Sequence, residues 1–308
     1  MATILRWMVS TSASAFHAAQ AIIQGRPLAD SALANALAES AHELAAAIEA
    51  TGIPSALFWE HAAALAAGVH NNRELAGVLL TKCIGRAKNQ AALVDPLAAA
   101  ITSLEHAYDA AAPRSNNELE VRSGPLREQW EARGPGMLAQ IGRSTEPDLI
   151  VPEADLILVH PIQGGGGAAH LPYNSVRIEA VLTNPHFNLP EVVRLAWLLA
   201  QLNNDLPIHQ DNLPRDRVAE MGAFALVPAT LAAAETVELA RSDQPTLAAA
   251  LDVWQICKED AEQLAATLDE WWQVYSESRP RWAVALAALD RMVANSAAQD
   301  TEGNEADE

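Results

Sequence analysis

From Ser12 to Ala112, apolar positions recur at the three- and four-residue spacing of helices that bury one face, filled mostly by Ala and Leu with little β-branching. That pattern predicts packed antiparallel helices. Gly25-Arg26-Pro27 ends the first, Asp30 or Ser31 caps the second, and Thr51-Gly52-Ile53-Pro54 stops it, with further helices over 54–69, 72–87 and 90–111. Pro113 to Asn117 is a polar break and the expected internal boundary. Beyond it, Pro125–Arg133 and Met137–Gly142 read as two short helices separated by Gly134-Pro135-Gly136.

The pattern changes after Pro152. Asp155–Ile162 is short and rich in Ile, Leu and Val, the composition of a buried strand. In the segment that follows, Val176, Ile178, Ala180 and Leu182 alternate with Arg177, Glu179, Val181 and Thr183, the period of a strand with one face in the core. Paired antiparallel, the two make a hairpin joined by Gln163-Gly164-Gly165-Gly166-Gly167. Asn188 with Glu191 three positions later resembles a capping box, opening a helix over Leu189–Asn203. On that helix Glu191, Arg194, Gln201 and Asp205 fall within roughly 80° of one another, and the remaining circumference is Val192, Val193, Leu195, Ala196, Trp197, Leu198, Leu199, Ala200 and Leu202. Such a helix is expected at the centre of its domain, with the stripe as its wet edge or, if interior, in a network with Arg177 or Glu179. Helices over Arg215–Ala240 (interrupted by Pro228), Pro245–Tyr275 and Pro280–Ala294 follow, and the acidic segment from Ala297 reads as disordered.

The sequence thus predicts an α+β protein that is mainly α. Residues 1–112 form an antiparallel helical subdomain, and 113–296 a small antiparallel sheet packed on a central apolar helix and closed by C-terminal helices, with 297–308 as a tail.

Charge narrows the function. Lys and Arg number 20 against 39 Asp and Glu, a formal net charge of -19, so the mean field repels nucleic acid and anionic membranes. Arg114, Arg122, Arg127, Arg133 and Arg143 are interleaved with Glu118, Glu120, Glu128 and Glu131 and read as a salt-bridged surface. Cys83 and Cys257 lack any paired spacing, which fits a reducing compartment. Met1 to Ile23 makes a poor signal peptide and no stretch reads as the ~20 apolar residues of a membrane span. The expected location is the cytoplasm.

Four consecutive glycines let backbone N–H groups approach a ligand. They lead to a strand, though, where a phosphate-binding loop leads into a helix. His160, His170, His186 and His209 cluster within fifty residues without the spacing that points two imidazoles at one ion. Glu39-x-x-His42 is half of a di-iron pattern without its second copy, and His42-Glu43 starts H-E-x-x-H without the second His. No metal and no cofactor are predicted. The order strand, turn, central helix resembles the layout of zinc-dependent metallopeptidases, but Val193-Arg194-Leu195-Ala196-Trp197-Leu198-Leu199 stands where their ligand helix carries H-E-x-x-H. That layout implies a zinc-free scaffold.

The leading functional expectation is a non-catalytic cytoplasmic interaction or scaffold protein, bound to an unknown protein partner or to a second copy of itself. The alternative is an enzyme or small-molecule binder whose site joins the loop Gly164, Gly165, Gly166 and Gly167 to His160, His170, Arg177, Glu179, Glu191 and Arg194.

Overall fold

In the computed structural model, residues 3–85, 90–257 and 260–305 are described, with side chains to Ser296. The elements run β1 (Ile4–Val9), α1 (Thr11–Ile23), α2 (Ser31–Thr51), α3 (Ser55–Ala66), α4 (Asn72–Ile84), α5 (Gln90–Ala111), α6 (Ser115–Ser144), β2 (Glu153–Val159), β3 (Gly167–His170), β4 (Ser175–Glu179), α7 (Glu191–Ala200), α8 (Arg215–Thr236), α9 (Gln244–Val253), α10 (Ala261–Ser278) and α11 (Trp282–Glu305). The protein is α+β and mainly α. The acidic segment from Ala297, expected to be disordered, instead continues α11 as helix to Glu305, its side chains lying outside the described residues.

Contacts divide the chain into two compact units that do not follow sequence order. One comprises Leu5–Arg127 and Asp155–Thr183, the other Met1–Ile4, Glu128–Ala154 and Asn184–Glu308. The division at 112 expected from the polar break is therefore not where contacts separate. Pro113 and Arg114 make only a turn, and the strands assigned by sequence order to the second half return to the first.

The first unit is a helical core carrying a sheet. Phe16, Phe58 and Trp59 pack as an aromatic cluster, with ring centroids 5.2–6.5 Å apart, among Leu37, Leu44, Leu75, Leu79, Ile101 and Leu104, all fully buried. Small Ala side chains line α1 and α3 and let them approach closely. The sheet has strand order β1-β2-β4-β3. Here the expected hairpin is corrected: β2 and β4 are parallel, with Ile157 beside Arg177 and Val159 beside Glu179. A third strand, β3, supplies the antiparallel partner, pairing Ala168 with Arg177 and His170 with Ser175. The glycine loop therefore carries the chain past a vacant slot, and β4 comes back through a tight turn at Asn174 (φ 48°) to fill it. Sequence reading passed over β1 because Ile4–Val9 is an edge strand whose burial does not alternate cleanly.

The second unit is helical. All ten residues of α7 are buried, as expected for a central helix. Its start differs from the expected capping box: Pro190 occupies the N-cap, and Asn184 Oδ1 accepts from the Glu191 N–H at 3.1 Å. Trp197 stacks on Trp254 at 5.1 Å, and Trp271, Tyr275 and Trp282 form a second aromatic group. The two short helices expected over 125–142 are one continuous helix, α6. Gly134 lies inside it and leaves room for the Trp130 ring, one turn earlier, which sits 2.3 Å from where a Gly134 Cβ would be. Conversely, the helix expected over 245–275 is two, broken after Trp254 where Gln255 takes φ 58°. Helix α8 runs through Pro228, whose neighbours from Ala225 to Leu231 are all buried, so packing outweighs the lost hydrogen bond. By length and composition α8 could cross a membrane, which departs from the expectation that no stretch would; 67% of its apolar stretch is buried in the protein, as in a core helix.

Two glycines inside helices give opposite expectations. Ala at Gly77 meets nothing within 4 Å, so Gly77→Ala should stabilise by about 0.5–1 kcal/mol through helix propensity alone. At Gly222 a Cβ would come within 2.4 Å of the fully buried Asn204 amide, and Gly222→Ala should cost about 1–3 kcal/mol by overpacking. Denaturant melts of both variants check this, and equal midpoints would show the close approach at Gly222 to be unimportant.

Candidate functional site

Strand β4 is buried on both faces, Ser175 to Glu179 without exception. The polar face read from its alternation does not meet water. It meets α1 and α3, and the residues it carries must be satisfied inside the protein. Glu179, 0% exposed, accepts from the His17 Nε2 at 2.7 Å and from the Gln163 N–H at 2.8 Å on one oxygen, and from the Gly165 N–H at 2.6 Å on the other. Its own N–H donates to Gly166 O at 2.8 Å. The glycine loop is thus a cradle for a carboxylate of the same chain. Gly164 and Gly165 reach it at φ 82° and 141°, and at Gly166 a Cβ would meet the Gln163 side chain at 2.7 Å. A second anchor holds the loop from outside, where Ile162 O accepts from the Ala29 and Asp30 N–H groups at 2.8 and 3.2 Å.

Arg177, one turn of the pleat away, donates through Nη2 to Gln20 Oε1 at 3.1 Å while its Nε has no partner. On the paired strand, His170 Nδ1 lies 3.0 Å from Glu60 O, so it carries the proton and leaves Nε2 as a bare acceptor, also without a partner. Burial, reinforced by the Arg177 charge, pushes His17 down to about 4 and His170 down to about 3. Both are neutral at neutral pH. Burial and the neighbouring Arg26 bring Arg177 down to about 10. For Glu179 burial acts upward, but the His17 hydrogen bond and the two backbone amides prevail and hold it below the usual carboxylate range.

Of the expected site residues, Gly164, Gly165, Gly166, His170, Arg177 and Glu179 share this layer, with Gly167 opening β3 beside it. His160 has another role. Its Nε2 pairs with Asp30 Oδ2 at 3.1 Å at the rim of a groove of about 450 Å³ also lined by Leu33, Arg114, Ser115 and Glu118. Glu191 and Arg194 sit in the other unit, 3.4 Å apart, and Arg194 donates to Val253 O at 3.0 Å. The stripe they belong to is not a wet edge. Glu191, Arg194 and Gln201 are all at most 8% exposed, with the Gln201 amide on Trp197 O, and only Asp205 reaches outward to pair with Arg215. Glu179 finds its partners from α1 and the glycine loop, so the network expected with Glu191 is not what holds it. His186 stacks on Phe187, and His209 is buried in a short 3-10 turn. Of the arginines expected on a salt-bridged surface, Arg127 also lies over the Trp7 ring at 5.2 Å, Arg133 donates to Val237 O, and Arg143 donates to Gln140 Oε1 at 2.7 Å.

His17, Gln20 and Gln163 were missed by sequence reading. The signal was present in α1, where a His and a Gln three residues apart interrupt a run of small apolar side chains buried on every face. Among the described residues no group of three or more His, Cys, Asp or Glu is placed to hold a metal ion. No family model, no curated protein and no solved structure matches the chain.

The neutral buried histidines give the fold a pH dependence. Unfolded, each takes a proton near 6.5; folded, His17 does so only at about 4 and His170 at about 3. As pH falls below 6.5 the unfolded chain therefore binds protons that the folded one refuses, and stability drops by about 1.4 kcal/mol per pH unit for each histidine. The loss continues to about pH 4 for His17 and about pH 3 for His170, and the depressed Glu179 adds to it only below its unfolded value. Urea melts from pH 7 to pH 5 should show this decline, and a flat profile over that range would refute it.

Proposed function

We propose that the protein is a non-catalytic interaction or scaffold protein of the cytoplasm, engaging a protein partner or a second copy of itself. The observation that carries this reading is the disposition of its chemically capable groups. Glu179 is fully buried with both oxygens occupied by the protein's own donors, and Glu191 with Arg194 is sealed inside a helical unit. A general acid or base must reach a substrate, and these cannot. Apolar surface, by contrast, is presented outward. Phe187 is 83% exposed in the segment between β4 and α7, with His186 stacked on its ring at 5.1 Å. An exposed aromatic braced by a neighbour is the kind of anchor on which protein interfaces concentrate their energy, and a net charge of -19 favours a basic partner surface.

Phe187→Ser should weaken the association, with itself or with a copurifying protein, by tenfold or more while leaving the far-UV spectrum and melting midpoint unchanged. Native mass spectrometry of protein purified without affinity metal reports both stoichiometry and bound partners. A strictly monomeric, partner-free protein indifferent to Phe187→Ser would overturn the reading.

One observation favours a second reading, a binder of a small molecule on the face of β4 roofed by α1 and α3: the under-satisfied guanidinium of Arg177.

A further inference from the structure

Residues directly opposite on paired strands share a face, and along one strand every second residue returns to it. By that rule the register puts Ser175, Arg177 and Glu179 of β4, with His170 and Ala168 of β3, on one face. Asp155, Ile157 and Val159 lie on the same face from β2; the Asp155 carboxylate is taken by Arg6 at 2.6 Å, and Ile157 and Val159 pack against Ala13, Ala64 and Ala67, so this face is the one roofed by α1 and α3. At its Glu179 end every oxygen is used. At the other end, three side chains at most 3% exposed each leave a polar atom without a partner: Ser175 Oγ, Arg177 Nε and His170 Nε2.

Such orphans are not evenly matched. Arg177 offers an N–H and Ser175 a hydroxyl, whereas His170 offers a lone pair, because Glu60 O fixes its proton on Nδ1. Glu179, two residues on along the same face, attracts Arg177, but its oxygens are taken up by His17, Gln163 and Gly165, and the hydrogen bond of this deeply buried guanidinium goes to a neutral amide, Gln20. Ala168, the residue opposite Arg177, has only a methyl group to occupy that space.

We propose that Arg177, Ser175 and His170 form an internal site for a small oxyanion that keeps a proton, of the size of bicarbonate. Its oxygens accept from Arg177 Nε–H and Ser175 Oγ–H, and its hydroxyl donates to His170 Nε2. Chloride and formate bring the charge but no proton, and leave the His170 lone pair unmet. Water brings the proton but not the charge. Dihydrogen phosphate brings both, but four oxygens to three orphaned groups. The inference rests on the small-molecule reading and is independent of the interaction role.

The test uses the full chain in carbonate-depleted, chloride-free buffer at mildly alkaline pH. Adding bicarbonate should raise the unfolding midpoint by several degrees and saturate, while formate and chloride at equal ionic strength give at most a tenth of the apparent affinity. Bound 13C-bicarbonate should give a separate carbon resonance. Arg177→Gln should abolish the response to every anion. Because that variant could fail to fold, His170→Asn is the second arm: its Nδ2 keeps a donor for Glu60 O, the shorter side chain places no acceptor where Nε2 stood, and it should erase the preference for bicarbonate over formate. Equal, non-saturating shifts for all three anions, or a preference unchanged by His170→Asn, would overturn the proposal. If native mass spectrometry instead finds a different small molecule displaced by the Arg177 change, bicarbonate is the wrong ligand while the small-molecule reading survives.

Discussion

A single carboxylate organises the first unit. Glu179 stands on the inner strand of the sheet, and its hydrogen bonds reach α1 through His17 and the glycine loop through Gln163 and Gly165. Removing that charge strands a buried imidazole and two buried amides at once, and the cost of breaking a buried pair of this kind is about 3–5 kcal/mol, a large part of what holds a domain folded. The same carboxylate accounts for the glycines. A loop that must turn three of its N–H and C=O groups onto one side chain and its backbone cannot carry Cβ atoms at those turns, as the positive φ of Gly164 and Gly165 shows.

Much of the fold was legible in the sequence, and the errors have physical causes. The helical repeat over the first hundred residues, the stops at Gly25 and Gly52, and the apolar α7 follow from spacing and local chain chemistry, which act over a turn or two. Strand pairing is set by partners distant in sequence. Alternation told that Val176 and Ile178 share a face, but it carries no information about whether Leu156 runs with them or against them. The four residues of β3 are too few for any period to emerge, and so the glycine loop was assigned the wrong pair of strands to join.

The candidate site was half legible for a related reason. Residue type named Arg177, Glu179, His170 and the glycines. What they do depends on which side of β4 is covered, and period-two patterning places polar residues on a solvent face by default. Here that face is covered by helices rich in Ala, whose short side chains leave depth for Arg and Glu. His17 and Gln20 met these charges from a helix some 160 residues earlier, beyond the reach of any local argument.

The return of Asp155–Thr183 to a unit otherwise built from Leu5–Arg127 orders events in time as well as in space. On a ribosome the helices of that unit emerge first, yet the carboxylate that accepts the hydrogen bond of His17 is not synthesised until Glu179. For the interval in between, α1 exposes a roof with no floor beneath it, and its Ala-lined face and unmet imidazole are open to whatever else is nearby. Long-range closure of this sort is slow because the intervening chain must be drawn together before any contact rewards it. A nascent-chain chaperone would find its binding window between the completion of α5 and the arrival of β4.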